Sequence, residues 1–98
     1  MTPVCELVWT ESAMADRNAI YDYIEAENLR AAAALDERFV QAAKRLARRP
    51  QIGRPGRNAG TREFVVNRRY LPVYEIVEDV VRVVAVYHTA RQWPPITL

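Results

Sequence analysis

The sequence predicts one α+β domain in the order β-α-α-β-β-β, a helical hairpin packed on one face of a small, mainly antiparallel sheet. Two observations carry this. Apolar residues recur at three- and four-residue steps from about Ser12 to Arg49. Beyond a segment that holds all three glycines (Gly53, Gly56, Gly60), the chain turns to β-branched and aromatic runs broken by short polar turns. The 98 residues make a single domain, 1–98, long enough to bury a core without disulfides or metal.

Val4-Cys5-Glu6-Leu7-Val8-Trp9 is rich in β-formers and reads as the first strand. Cys5, the sole cysteine, lies in this apolar run as a small core residue. One thiol forms no internal disulfide and no Cys-rich zinc site. Thr10-Glu11-Ser12 then starts a helix. Thr10 or Ser12 can cap its free N–H groups, and Glu11 suits the positive end of its dipole. That helix runs from about Ser12 to Glu27, with Ala13, Ile20, Tyr23 and Ile24 on one face. Arg17 interrupts the face; its stem is expected to cover the core edge while its guanidinium stays in water. After a break at Asn28-Leu29-Arg30, a second helix to Arg49 carries a continuous stripe of Ala32, Leu35, Phe39, Ala42, Ala43 and Leu46. Lys44, Arg45, Arg48 and Arg49 crowd its last turns, where cations meet the negative dipole end, and Pro50 stops it. So short a link makes the two helices antiparallel.

Residues 50–60 read as a loop. Strands are expected at Thr61–Val66, Leu71–Val77 and Val80–His88, joined as a meander by turns at Asn67-Arg68-Arg69 and Glu78-Asp79. The second turn sets Glu75 opposite Arg82 as a cross-strand ion pair, and the same register sets Tyr70 opposite Tyr87 and Arg69 opposite His88. Pro72 cannot donate to a ladder, so a bulge or an unpaired position is expected there. The tail beyond Thr89 has no regular pattern, and Trp93 is expected to fold back onto the body.

The net charge of +2 hides an asymmetry. Residues 1–43 hold three arginines against eight acids, whereas residues 44–69 hold nine basic residues against one acid, Glu63. Such a run meets solvent, phosphates or an acidic partner. No apolar stretch approaches the ~20 residues that cross a bilayer. The N-terminus lacks the basic and long apolar regions of a signal peptide, so no membrane association and a cytoplasmic location are expected.

His88 is the only histidine, which excludes a His-rich metal site. It is expected either to be satisfied by backbone or to serve as a polar anchor or proton-transfer group in a basic cleft. Arg62, Arg69, Arg82 and Arg91 are expected to gather near its sheet face. There is no phosphate-cradling loop, no dinucleotide fingerprint and no legible nucleophile–base pair, so neither cofactor nor metal is expected. Phe64, Tyr70 and Trp93 near the arginines offer stacking and charge of the kind that holds nucleic acid.

Three stretches together resemble toxins of the RelE/ParE superfamily. They are Trp9-Thr10-Glu11 with Ala13, Asp16, Ile20 and Tyr23-Ile24; Pro50-Gln51-Ile52-Gly53-Arg54 with Gly60-Thr61-Arg62-Glu63; and Tyr70-Leu71-Pro72-Val73-Tyr74-Glu75-Ile76 with Tyr87-His88-Thr89-Ala90-Arg91-Gln92-Trp93-Pro94. The resemblance covers nearly the whole chain in the right order. It implies the toxin half of a type II toxin–antitoxin (plasmid stabilization) module, growth-inhibiting and neutralised by a cognate antitoxin. It also implies one of two targets. ParE-like members act on DNA gyrase without cutting; RelE-like members cut mRNA at the ribosome. One nuclease branch places an arginine where this chain has Leu71 and an acid where it has Gln51, and the only lysine is Lys44. The Arg-Gln-Trp-Pro ending is closer to the ParE side. Arg62, Tyr87, His88 and Arg91 are the catalytic candidates if the chain is a nuclease. Arg62, Arg69, His88, Arg91 and Trp93 are the candidate target contacts. Arg45, Arg48, Arg49 and Arg54 are expected to meet the acids of the antitoxin.

Overall fold

A computed structural model describes residues 5–89. The chain runs β1 (Glu6–Trp9), α1 (Glu11–Glu25), α2 (Leu29–Arg48), β2 (Arg54–Pro55), β3 (Arg62–Glu63), β4 (Tyr70–Val77) and β5 (Val80–His88). The sheet order is β1-β5-β4-β3-β2. β1 lies parallel to β5, and the other pairings are antiparallel. The predicted α+β order holds, with one addition: the segment read as loop supplies β2, a two-residue edge strand on β3.

Each helix starts where its cap dictates. The Thr10 hydroxyl accepts the Ala13 amide at 3.2 Å, and the Asn28 side chain accepts the Ala31 amide at 3.0 Å. α2 ends at Arg48. Arg49 leaves the helical region (φ −136°, ψ 76°), since the Pro50 ring disfavours the helical form in the residue before it.

α2 supplies most of the helical core. It buries the stripe read from the sequence and Ala47 besides. Full burial of one such side chain, Phe39 for example, stabilises by about 2–3 kcal/mol. α1 completely buries only Ala13, packs Ile20 and Ile24 against the Phe39 and Tyr70 part of the core, and is tied to its neighbours by polar contacts as well. Arg17 donates to Asp36 of α2 from Nε at 3.1 Å and from Nη2 at 2.9 Å, with its guanidinium 4.4 Å from the centre of the Trp9 ring. The Arg17 side chain is 12% exposed. Its head is therefore not in water, as the sequence suggested; a carboxylate and an aromatic face replace the solvent.

The Glu78-Asp79 turn sets Glu75 opposite Arg82, with Arg82 Nη1 donating to Glu75 at 2.7 Å. Glu78 takes the left-handed backbone (φ 54°) that so tight a hairpin demands. Farther along, the expected register fails. Val73 faces Ala85 and Tyr74 faces Val83, so Val84 is an extra residue on β5. Tyr70 thus pairs with His88 rather than Tyr87. Thr89, not His88, lies beside Arg69, and its amide donates to the Arg69 carbonyl at 2.7 Å. The unpaired position at Pro72 falls on its other side. Its carbonyl accepts the Phe64 amide at 3.0 Å, but it has no N–H to return. β3 accordingly stops at Glu63 instead of continuing to Val66.

The main core lies between the helices and the sheet. Ala13, Leu46, Tyr74, Val81 and Val83 form one part, with Cys5 packed at its edge; Leu35, Phe39, Tyr70 and Val86 form the other. Leu71, Val73 and Tyr87 cluster on the opposite face.

Candidate functional site

The bulge at Val84 decides where the candidate residues point. Past it, Val86 and His88 face the helices and Tyr87 faces away. Two separate polar centres result.

The first lies on the helix face at the end of β5. The His88 ring meets Tyr70 edge-on, with centroids 5.0 Å apart. Both line a cavity of about 310 Å³ together with Asp16, Ile20, Tyr23 and Val86. Asp16 accepts the Val86 amide at 2.9 Å, just past the point where β1 ceases to cover β5. Burial pushes the Asp16 carboxyl above its usual range, and the bond from Val86 only partly offsets this. A raised native pKa means that the folded chain holds this proton more tightly than the unfolded chain. The contribution of Asp16 to stability is therefore present below the unfolded value of 3.8 and is lost as pH rises through the folded one. Asp16→Asn keeps an acceptor for Val86 and removes the charge. We expect it to melt no lower than wild type at pH 7, with the difference closing by about pH 3; calorimetry across that range checks this.

The second centre is the turn between β2 and β3. Glu63 is the one buried charged side chain among the described residues, at 4% exposure. Its carboxylate accepts the Arg57 amide at 3.2 Å and pairs with Arg54 Nη2 at 3.4 Å and Arg57 Nε at 3.7 Å. The Arg57 guanidinium lies 5.4 Å from the centre of the Tyr87 ring. Burial, with Glu63 nearby, raises the Tyr87 phenol above its ordinary range, and Arg57 opposes this. Such a phenol keeps its proton at neutral pH, which suits a donor and not a base.

Arg62 shares the helix face by its register opposite Tyr74, but it is committed locally. Its Nη1 donates to the carbonyls of Gly53 at 2.9 Å and Gln51 at 3.3 Å. Tyr74, on the same face, donates to the Pro50 carbonyl at 2.6 Å and accepts the Gly53 amide at 2.9 Å. Its register is four residues from that of His88 on β4, roughly 13 Å along the strand.

The expected gathering of cations about His88 is thus only partial. Arg69, with Arg68 and Arg38, lines a larger cavity that shares Tyr23 and Tyr70 with the His88 cavity. Arg82 is on the far face with Glu75, and Arg62 is held by the 51–53 loop. Arg91 and Trp93 lie outside the described residues. Of the remaining cations, Arg45 sits 5.5 Å from the Phe64 ring centre and Arg54 on Glu63, while Arg48 and Arg49 are exposed at the end of α2 and make no ion pair among the described residues. The described residues contain no cluster of acids, histidine and cysteine fit for a metal, and no helix long and apolar enough to cross a membrane.

Sequence reasoning missed Asp16, Arg57 and the clamp at Glu63. Glu63 carried a faint signal, as the lone acid in a basic run with its side chain turned from Arg62 by strand alternation. Asp16 entered only among the residues that carry the resemblance, and nothing local marked its role, because its partner is an amide seventy residues away.

Comparison with known proteins bears on the whole of this arrangement. Residues 7–93 match the family described as the ParE toxin of type II toxin–antitoxin system, parDE. The chain is 38% identical over 89 residues to the Y4kP protein of Sinorhizobium fredii, covering 90% of this chain and 92% of that one. It is also 38% identical over 88 residues to toxin RelE2 of Caulobacter vibrioides, covering 90% and 99%. Among solved structures, the chromosomal ParDE toxin–antitoxin system from P. aeruginosa holds a chain of the same fold, with a TM-score of 0.78 at 22% identity over 87% of this chain and 96% of that one.

Proposed function

This chain belongs to the ParE toxin family of type II toxin–antitoxin systems, and from that premise we propose that it is a growth-inhibiting cytoplasmic toxin, neutralised by a cognate antitoxin, that acts on DNA gyrase by binding and not by cutting. The observation that carries the non-nucleolytic reading is the dispersal of the candidate catalytic groups. Tyr87 and His88 face opposite sides of the sheet, and the Arg62 guanidinium is engaged by two carbonyls. Cleavage of RNA would need a base, an acid and free cations around one phosphate. Supercoiling by purified gyrase should fall as this protein is added, with cleaved complexes accumulating. Gyrase unaffected at tenfold excess of the protein rejects the target.

A second reading has one observation behind it. Asp16 and His88 share a cavity next to that of Arg68 and Arg69, which puts a carboxylate and an imidazole near cations. In that reading the chain is a RelE-like, ribosome-dependent endoribonuclease. Primer extension on translated mRNA after induction separates the two: cut transcripts support the nuclease, and intact transcripts in arrested cells support gyrase.

The exposed end of α2, with Arg45, Arg48, Arg49 and Arg54 close by in sequence, is where the acids of the antitoxin are proposed to arrive first. Arg48→Glu with Arg49→Glu is expected to slow association about tenfold at low salt, and the effect should shrink by about 0.5 M salt as screening takes over. Stopped-flow association at two salt concentrations measures it.

A further inference from the structure

One face of α1 and the end of β5 border the cavity of about 310 Å³ beside His88. Asp16, Ala19, Ile20 and Tyr23 recur at three- and four-residue steps, so α1 presents them together. Tyr70, Val86 and His88 complete the lining from the sheet. The volume is at the lower end of the roughly 300–1,000 Å³ typical of small-ligand sites.

The charge of this lining is one-sided. Among the described residues Asp16 is its only carboxylate, and no lysine or arginine lines it. Arg17, next in the chain, is spent on Asp36 and Trp9. Asp16 takes part in none of the ion pairs of the described residues. It accepts one hydrogen bond among them, from the Val86 amide, of the roughly four a carboxylate can take. Burial already penalises its charge, and a cation beside it relieves that penalty. The rest of the lining suits the body of an organic cation and not a hydrated ion. Ala19, Ile20 and Val86 offer aliphatic surface against which a methylene chain gains by burial. Tyr70 is fixed edge-on to both Phe39 and His88, at interplanar angles of 86° and 90°. Tyr23, 71% exposed, forms the outer wall. Tyrosine rings attract an ammonium through their faces. Arg38, Arg68 and Arg69 line the adjoining cavity and not this one, so the parts that draw cations and anions are separate.

We infer that this cavity binds an alkylammonium group, with Asp16 as its counterion and the rings of Tyr23 and Tyr70 beside its methylene chain. The group belongs to a free monoamine or to a lysine side chain, whose chemistry at this site is the same. The site stands apart from the choice between gyrase and ribosome as target.

His88 is the only histidine, so its ring-proton NMR signals report on the cavity without ambiguity. The whole chain is titrated with n-butylammonium chloride at constant pH and ionic strength. We expect saturable shifts of these signals with a Kd on the order of 1 mM, as suits so small a ligand. 1-Butanol, similar in size but uncharged, should bind at least tenfold more weakly. Asp16→Asn keeps the acceptor for Val86 and is expected to melt no lower than wild type, so its affinity for n-butylammonium reads the counterion directly; a loss of at least tenfold is expected. Nα-acetyl-lysine amide separates the two sources. Tighter binding than n-butylammonium supports a lysine side chain presented by a protein, and weaker binding supports a free monoamine. Equal binding of 1-butanol overturns the proposal without any variant. An Asp16→Asn chain that binds n-butylammonium as wild type does overturns it too, as does the absence of any saturable shift.

Discussion

Replacing Arg17 with alanine is expected to cost about 3 kcal/mol of folding stability, the lower end of what breaking a buried ion pair costs. Two contacts disappear together: the two-pronged bond to Asp36 and the stack on Trp9. Asp36 would be left without its cation while only 33% exposed. That residual exposure lets water recover part of the loss, which is why the lower end applies. For a domain of this size the melting temperature should drop by roughly 12–24 °C. Arg17→Met combined with Asp36→Leu supplies the control. Removing both charges leaves nothing stranded, so the double variant should recover most of the stability lost in Arg17→Ala. Thermal melts of the three proteins measure this, and a drop of less than about 3 °C in Arg17→Ala would show that the tie contributes little.

Gly53→Ala should be comparably damaging for a steric reason. A Cβ at this position would stand 2.5 Å from the Tyr74 hydroxyl, 2.8 Å from a ring carbon of the same tyrosine and 2.9 Å from the Glu63 carbonyl oxygen. The tyrosine cannot retreat, since it is completely buried in the core beneath the helices. The carbonyl belongs to backbone that pairs with β4. Overpacking of this kind costs about 1–3 kcal/mol. Any shift that relieves it also stretches the Gly53 amide bond to Tyr74, which adds about 1–3 kcal/mol for a buried donor left unpaired. A total near 3–4 kcal/mol is expected. Tyr74→Phe isolates the second part: with no clash, it should lose about 2 kcal/mol through the unpaired Gly53 amide and Pro50 carbonyl. Denaturant titration separates the two, and equal losses in both variants would argue that the added methyl finds room.

Much of this fold was legible because its signals are local. The α2 stripe from Ala32 to Leu46 needs only helical spacing, and the Glu75–Arg82 pair needs only a two-residue turn. The capping of α1 was narrowed to Thr10 or Ser12 by residue type alone, and Thr10 fills the role. The errors share a cause. The place of Val84 in the pairing, the fate of the Arg17 head and the grip of Arg62 on the 51–53 carbonyls depend on groups far away in sequence. Pro72 shows the boundary between the two kinds. A missing N–H made some irregularity certain, but its consequence, the early end of β3, depended on which neighbouring strand that missing donor faced. The candidate site suffered most, because a single inserted residue turned His88 toward the helices and Tyr87 away from them, which no pattern in the chain announces.

That insertion has a further consequence. Along any strand, odd and even positions belong to opposite sides, and Val84 exchanges their roles from Ala85 onward. The final stretch of the chain is thus written in the opposite parity to the stretch before it. Excising Val84 would keep the imidazole opposite Tyr70 and the phenol opposite Leu71, whereas pairing the intact β5 without a bulge would carry the imidazole to the outer side and the phenol inward beneath the helices. Both chemistries would survive in composition, yet each would be delivered to the wrong address.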